Sequence, residues 1–138
     1  MRFMIIVKAT KDSEAGVMPG EKLLASMQKY HEELSNAGVL LDGAGLKSSA
    51  HGWRIKYTSK GASLVDGPFA ETKELVAGYT IINVKSRQEA IDWTKRFPNP
   101  SIDGGVAEIE VREFFELEDF APSETIERFR EIGIGVLK

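Results

Sequence analysis

The hydrophobic positions of the first 40 residues follow two spacings, one typical of strands and one typical of helices. Residues 3–7 are apolar on both faces of an alternating pattern, which predicts a central strand. Residues 21 to about 37 carry apolar side chains at three- and four-residue steps, which predicts an amphipathic helix that ends before Gly38. The apolar stripe of this helix consists of Leu23, Leu24, Met27, Tyr30, Leu34 and Ala37.

The rest of the chain continues to alternate between strands and helices. Further strands are predicted at residues 39–41, 53–58, 63–65, 75–84 and 106–115, and the second and third of these form a small hairpin that ends at Asp66. A second helix is predicted from Ser86 to Phe97, because Ser86 is a favourable N-cap and prolines follow at positions 98 and 100. A third, short helix is predicted after Ser123.

This order of elements predicts an α+β fold of the ferredoxin-like βαββαβ type with an inserted hairpin. Its helices cover one face of an antiparallel sheet. Because the strands also carry apolar residues on the opposite face, that face needs a cover of its own, and a second subunit is the simplest one. The sequence therefore predicts a homodimer.

Composition narrows the classes of function. The 138 residues carry a formal net charge of -3 and no basic cluster, so nucleic acid is not an expected partner. There is no cysteine, and the two histidines lack the spacing of a metal site, so no metal is predicted. Nucleotide-binding motifs are absent, and no cofactor is expected. The amino-terminal apolar run is too short for a signal or membrane segment, which predicts a cytoplasmic protein without a membrane partner.

His31 is the first candidate for chemistry, because it shares the apolar stripe of the first predicted helix. A histidine that faces a sheet can act as a general acid or base. Geometry alone favours a core histidine with both ring nitrogens hydrogen-bonded, but the sequence leaves both interpretations open. His51 has no such context and is interpreted as a loop residue, and Asp42 as a turn or bulge residue.

The segment DGPFAETKE, residues 66–74, is the second candidate. Asp66, Gly67 and Pro68 are typical of a turn that interrupts strand pairing. A turn does not explain Phe69, or why Glu71 and Lys73 arrive on alternating positions. These residues either form a binding site or simply solvate a loop.

Four segments resemble the YCII-related family, and in particular its DGPF branch. They are YHEEL (30–34), AGVLLDGAGL (37–46), DGPFAETKELVAGY (66–79) and SRQEAIDWTKRFP (86–98). The resemblance covers residues 1–115 and implies a YCII-related domain there, followed by a C-terminal extension, residues 116–138, with the short helix. It also implies a dimeric α+β barrel, in which two ferredoxin-like sheets pack face to face.

The resemblance implies a pair of site residues, a histidine on the first helix and a nearby aspartate. His31 matches the histidine, Asp66 is the expected aspartate, and Asp42 is the alternative. Relatives often have a glutamate where this chain has Ala44, so any mechanism that needs that carboxylate is in doubt here. The wider superfamily includes small aromatic-handling oxygenases, isomerases and lyases, and related domains occur near or fused to sigma factors of the extracytoplasmic-function class.

Two hypotheses about function follow. In the first, the protein is a cofactor-free acid/base enzyme of the lyase or isomerase type. His31 and Asp66 would be catalytic, and Phe69, Glu71 and Lys73 would bind a small organic substrate. In the second, the protein is a non-catalytic ligand-binding or regulatory domain that acts with a partner such as a sigma factor.

Overall fold

A computed structural model describes residues 1–137 and contains the predicted elements in the predicted order. The strands are β1 (Arg2–Lys8), β2 (Leu40–Gly45), β3 (Trp53–Thr58), β4 (Gly61–Asp66), β5 (Val76–Asn83) and β6 (Ile109–Glu113). The helices are α1 (Lys11–Glu14), α2 (Glu21–Asn36), α3 (Arg87–Lys95) and α4 (Glu124–Glu131). Single 3₁₀ turns lie at Ser49–His51, Thr72–Glu74 and Leu117–Asp119.

Four strands form one antiparallel sheet in the order β2-β5-β1-β6, and β3 and β4 form a separate hairpin. Without the hairpin, β1, β2, β5 and β6 are strands 1, 2, 3 and 4 of a βαββαβ unit. Read from the β6 edge, the sheet order is then 4-1-3-2, which is the ferredoxin-like order. The predicted α+β, ferredoxin-like fold with an inserted hairpin is confirmed.

The core lies between the sheet and helices α2 and α3. Alternate residues of β1 and β5 face the helices, and Ile5, Leu34 and Ile82 are fully buried. Burying an aliphatic side chain of this size stabilises the folded state by about 1.5–3 kcal/mol. The whole cluster consists of Phe3, Ile5, Tyr30, Leu34, Val39, Ile82, Val84 and Ala90.

Helix α2 ends at the glycine that the sequence indicates. Gly38 has a φ of +74°, which L side chains rarely adopt. Its N–H donates to the carbonyl of Ser35, and the N–H of Val39 donates to the carbonyl of Leu34, at 3.0 Å each. This is the Schellman pair of hydrogen bonds, and it turns the chain directly into β2.

Strands β2 and β4 extend beyond the segments predicted for them, and two other elements differ more strongly from the prediction. The polar segment after β1 contains the short helix α1, whose N-cap Thr10 accepts a hydrogen bond from the N–H of Ser13 at 3.2 Å. Strand β6 is shorter than the predicted 106–115, because its ladder to β1 runs only from Ile109 to Glu113. Val106 and Phe115, which the pattern assigned to the strand, are 98% and 72% exposed.

The chain after β6 packs back onto the start of β1. The carboxylate of Glu116 accepts two hydrogen bonds from the guanidinium of Arg2, at 2.8 and 2.9 Å, and Leu117 is buried beside them. Such a bidentate pair fixes orientation as well as distance. Among residues 1–137, no helix is both long and apolar enough to span a membrane.

Candidate active site

A large cavity opens between helix α2 and the β2 edge of the sheet. Its volume is about 1080 Å³. Most of its walls are apolar, with residues contributed by α2, by the loop before it and by β2. The apolar side chains include Val17, Met18, Leu23, Leu24, Met27, Leu40, Leu46, Phe97 and Ile102. A cavity with these walls suits a small organic molecule with a hydrophobic body.

Glycines form the floor of the cavity. Gly43 pairs with Thr80 and Gly45 pairs with Gly78, so three glycines share the sheet face that looks toward α2. A Cβ at position 43 would lie 3.6 Å from the Thr80 hydroxyl oxygen and 3.8 Å from His31 Nε2. Because glycine has no side chain, the space between α2 and the sheet stays open in front of His31.

His31 projects from α2 to the sheet and bonds through both ring nitrogens. Nδ1 lies 2.7 Å from the carbonyl oxygen of Met27, and Nε2 lies 2.8 Å from the hydroxyl oxygen of Thr80. A carbonyl can only accept, so the proton of the neutral ring is on Nδ1. Nε2 is then an acceptor, and the Thr80 hydroxyl donates to it. Both nitrogens are satisfied, as the core interpretation required, yet the ring also lines the cavity.

Thr80 is the polar member of an otherwise apolar strand face. It is 2% exposed, and its neighbours on that face are Gly78 and Ile82. Sequence reasoning missed it, although a threonine between apolar positions of a central strand is a usable signal, because a buried hydroxyl needs a hydrogen-bond partner. Here the partner is His31.

The His31 ring packs against an aromatic cluster. The rings of Tyr30 and Phe97 approach it edge-to-face, with centroids 5.6 and 6.2 Å away. The Tyr30 hydroxyl donates to the Trp93 carbonyl at 2.7 Å. Burial raises the pKa of Tyr30 to about 12; the charge of Arg96 lowers it and that of Glu33 raises it. Tyr30 is therefore a neutral structural group at neutral pH.

The other predicted site residues do not line this cavity within one described chain. Asp66 ends β4 opposite Trp53 and is exposed. Glu71 and Lys73 are exposed beside and within the 3₁₀ turn before β5. Phe69 is half-buried, and its ring lies 3.8 Å from the guanidinium carbon of Arg54. Their functional roles stay predictions.

Asp42, the alternative aspartate, borders the cavity but does not bond His31. Its carboxylate accepts a hydrogen bond from the N–H of Gly43 at 2.8 Å. Its register partner is Ile81, one position along from the Gly43–Thr80 pair. Strand alternation therefore directs its side chain to the sheet face opposite His31.

The cavity has further polar groups on the segment that follows β2. Lys47, Ser48 and His51 all line it. His51 was interpreted from sequence as a loop residue, and only the folded chain shows that it borders the same space as His31. Within residues 1–137, no group of three or more histidine, aspartate or glutamate side chains is arranged to hold a metal ion.

These features define a ferredoxin-like α+β domain with a histidine-containing apolar cavity at one sheet edge. Its fold resembles that of 5-chloro-2-hydroxyhydroquinone dehydrochlorinase (TftG) from Burkholderia phenoliruptrix AC1100, solved in complex with 2,5-dihydroxybenzoquinone. The TM-score is 0.46 at 15% identity, over 84% of this chain and 95% of that one. An uncharacterised protein of Rhizobium meliloti (strain 1021) is 27% identical over 89 residues, which are 64% of this chain and 72% of the relative. The model of the YCII-related domain matches residues 1–115, so the chain belongs to that family.

The raised pKa of Tyr30 predicts a specific loss of stability in alkali. The unfolded tyrosine ionises near pH 10 and the folded one near pH 12, so the folded state holds the proton more tightly between these values. Stability from this group is complete below pH 10 and is lost as the pH rises to 12, by roughly 2–3 kcal/mol. Urea unfolding at pH 9–12 measures this as the difference between wild type and Tyr30→Phe.

We expect that difference in unfolding free energy to shrink from pH 10 to pH 12. Tyr57→Phe is the matched control, because Tyr57 is 79% exposed, and its difference from wild type should stay constant over the same range. A constant difference for Tyr30→Phe would contradict the burial of its hydroxyl.

Proposed function

We propose that this protein is a cofactor-free acid/base enzyme of the lyase or isomerase type that acts on a small organic molecule in the cavity. One observation carries the proposal. His31 stands at the wall of an apolar cavity with Nδ1 bonded to Met27 and with its acceptor nitrogen bonded to a hydroxyl that faces the same space. An imidazole held in one tautomer is prepared to accept a proton at a defined atom.

The proton path that this geometry supports has two steps. An acidic group of the substrate gives its proton to the Thr80 oxygen, while the Thr80 hydroxyl proton moves to His31 Nε2 over the 2.8 Å hydrogen bond. The imidazolium then keeps its Nδ1–H bond to the Met27 carbonyl, which stabilises the positive charge. Return of the proton to another atom of the substrate completes an isomerisation, and loss of a leaving group completes an elimination.

The orienting group in this proposal is the Met27 carbonyl. Asp66 as the orienting carboxylate, with Asp42 as its alternative, stays a prediction, as do Phe69, Glu71 and Lys73 as substrate-binding residues. The DGPF branch of the family and a cytoplasmic location are likewise predictions.

Proton abstraction can be tested before the substrate is known. Enolisable carbonyl compounds and hydroxylated aromatics are incubated with the protein in D₂O, and exchange of their carbon-bound protons is followed by NMR. We expect catalysed exchange for a subset of the panel. His31→Ala should slow that exchange at least 100-fold, the usual contribution of a general base.

Two further variants make the test specific. Thr80→Val removes the hydroxyl at nearly constant volume and should slow exchange about as strongly as His31→Ala, because the proposed proton path passes through that oxygen. Thr80→Ser keeps the hydroxyl and should retain the rate. Lys29→Ala, on the exposed side of α2, is the control that should change nothing. If exchange persists in folded His31→Ala, the proposed role of this histidine is wrong.

A second function is favoured by the same hydrogen bonds. Because both nitrogens of His31 are already bonded, the ring can serve as a fixed wall of a binding site in a non-catalytic or regulatory domain. In that case members of the panel bind, none exchanges, and His31→Ala weakens binding because it removes that wall.

We also propose that the protein is a homodimer formed through the sheet face opposite α2 and α3. Met4, Ile6, Tyr79 and Ile81 share that face by register and are only half-buried. Charged groups flank them: Glu110 contacts both Lys8 and Arg112, at 3.7 and 3.2 Å. An apolar centre with a charged rim is the usual anatomy of an interface.

Sedimentation equilibrium tests the homodimer directly. Wild type should have twice the chain mass at micromolar concentration. Ile81→Lys, which puts a charge into the centre of the proposed interface, should dissociate it at least tenfold more readily. Val106→Lys makes the same chemical change outside the sheet and should leave the mass unaltered, with circular dichroism confirming that both variants fold. A wild-type monomer would rule the dimer out.

A further inference from the structure

Three hydrogen-bonded contacts hold the turn Ser49–His51 against the rest of the chain. The N–H and hydroxyl of Ser49 donate to the carboxylate of Glu14 on α1, at 2.9 and 2.6 Å. The N–H of Phe69 donates to the Ser49 hydroxyl oxygen at 2.9 Å. The N–H of Gly67 donates to the carbonyl of Gly52 at 3.0 Å. The turn therefore lies clamped between α1 and the DGPF segment, residues 66–69.

The contact between the DGPF segment and this turn has no room for a side chain. A Cβ at position 67 would overlap the carbonyl oxygen of Ser49 and lie 2.8 Å from its carbonyl carbon. Only glycine allows this approach. The Arg54 guanidinium carbon lies 3.8 Å from the centre of the Phe69 ring, and this cation–π contact ties the segment to β3. These contacts give Gly67 a second reason beside the turn, and they account for Phe69, which the turn did not explain.

The clamped turn presents polar groups to the cavity, whereas the DGPF segment presents none. His51 lines the cavity from the turn itself, and Lys47 and Ser48 line it from the two positions before the turn. His31 and Thr80 line it from α2 and β5. The cavity therefore has two sets of polar groups on different elements, one after β2 and one on α2 and β5. The apolar side chains of Leu23, Met27 and Leu46 line the same cavity.

We propose that His51 is a second ligand-binding residue of the cavity, and that Glu14, Ser49 and the DGPF segment are positioning residues that hold it there. The ligand class that fits is a small ring with an ionisable hydroxyl for the His31–Thr80 pair and a separate anionic group for His51 and Lys47. This inference rests on the proposed function, because it takes the cavity to be the functional site.

The probe that tests the ligand class is 4-hydroxybenzoate, with phenol, which lacks the carboxylate, as its comparison. Binding to each variant is measured by NMR titration of the 138-residue chain. Wild type should bind 4-hydroxybenzoate more tightly than phenol. His51→Ala should weaken 4-hydroxybenzoate about tenfold, the loss of one charge-assisted hydrogen bond, and leave phenol unchanged.

Variants of Ser49 test whether this residue positions His51 at the cavity. Ser49→Ala removes the hydroxyl that joins Glu14 to Phe69 and should weaken 4-hydroxybenzoate three- to tenfold without affecting phenol. Ser49→Thr keeps the hydroxyl and should restore binding. In NMR spectra of the histidine imidazole rings, 4-hydroxybenzoate should shift the signals of both His31 and His51 in wild type. In Ser49→Ala it should shift only those of His31.

Three results would overturn the proposal: equal binding of the two probes by wild type, equal weakening of both probes in His51→Ala, or no rescue by Ser49→Thr. These outcomes are separate from those for the proposed function. If His51→Ala discriminates the carboxylate while His31→Ala leaves proton exchange unchanged, the binding role of His51 stands and the acid/base role of His31 fails.

Discussion

The hydrogen bond between His31 and Thr80 is the interaction on which the candidate site depends. It joins helix α2 to the sheet beside the glycines of β2 and β5 that form the floor of the cavity. Elsewhere the helix is held by the buried side chains of Tyr30 and Leu34 and by the hydrogen bond from the Tyr30 hydroxyl to the Trp93 carbonyl of α3. Glycines at 43, 45 and 78 would normally weaken a strand, yet here they keep the space in front of the imidazole open. Gly78 also meets a packing demand, because a Cβ there would lie 2.9 Å from the Ala44 carbonyl oxygen.

The His31 ring therefore has a structural role, and the chemical role that we propose for it uses the same two nitrogens. The Met27 carbonyl fixes the tautomer, and the tautomer determines that the nitrogen facing Thr80 is the one able to accept a proton. The two interpretations left open by the sequence, a satisfied core histidine and an acid/base group, are compatible in this arrangement. What distinguishes them is whether a bound molecule uses the Thr80 hydroxyl.

The fold was predictable because local patterns agree with the sheet. The stripe of α2, the glycine after it and the alternation of β5 each point to their observed structures. The ends of β6 were not predictable from alternation alone, because Phe115 continues the alternation of Ile109 and Val111 beyond the last pairing with β1 and is nevertheless exposed. Strand ends depend on the length of the neighbouring strand, which is a tertiary property.

The candidate site could be predicted only where its residues follow a local pattern. His31 could be found because its helix stripe is local information. Thr80 and Gly43 become neighbours only through the sheet order that puts β2 beside β5. The DGPF segment was recognisable as a turn, but its contact with Ser49 arises only when the hairpin brings residues 52 and 67 together. Long-range closure of this kind leaves no local pattern in the sequence.

The tautomer of His31 tests the central claim most directly. Long-range ¹H–¹⁵N spectra of the labelled protein, recorded at a pH where the ring is neutral, distinguish the protonated nitrogen from the acceptor. The geometry predicts a proton on Nδ1 and an acceptor Nε2 that is perturbed when Thr80 is replaced by valine. A proton on Nε2, or rapid averaging of the two tautomers as in a free imidazole, would contradict the arrangement on which the site is built.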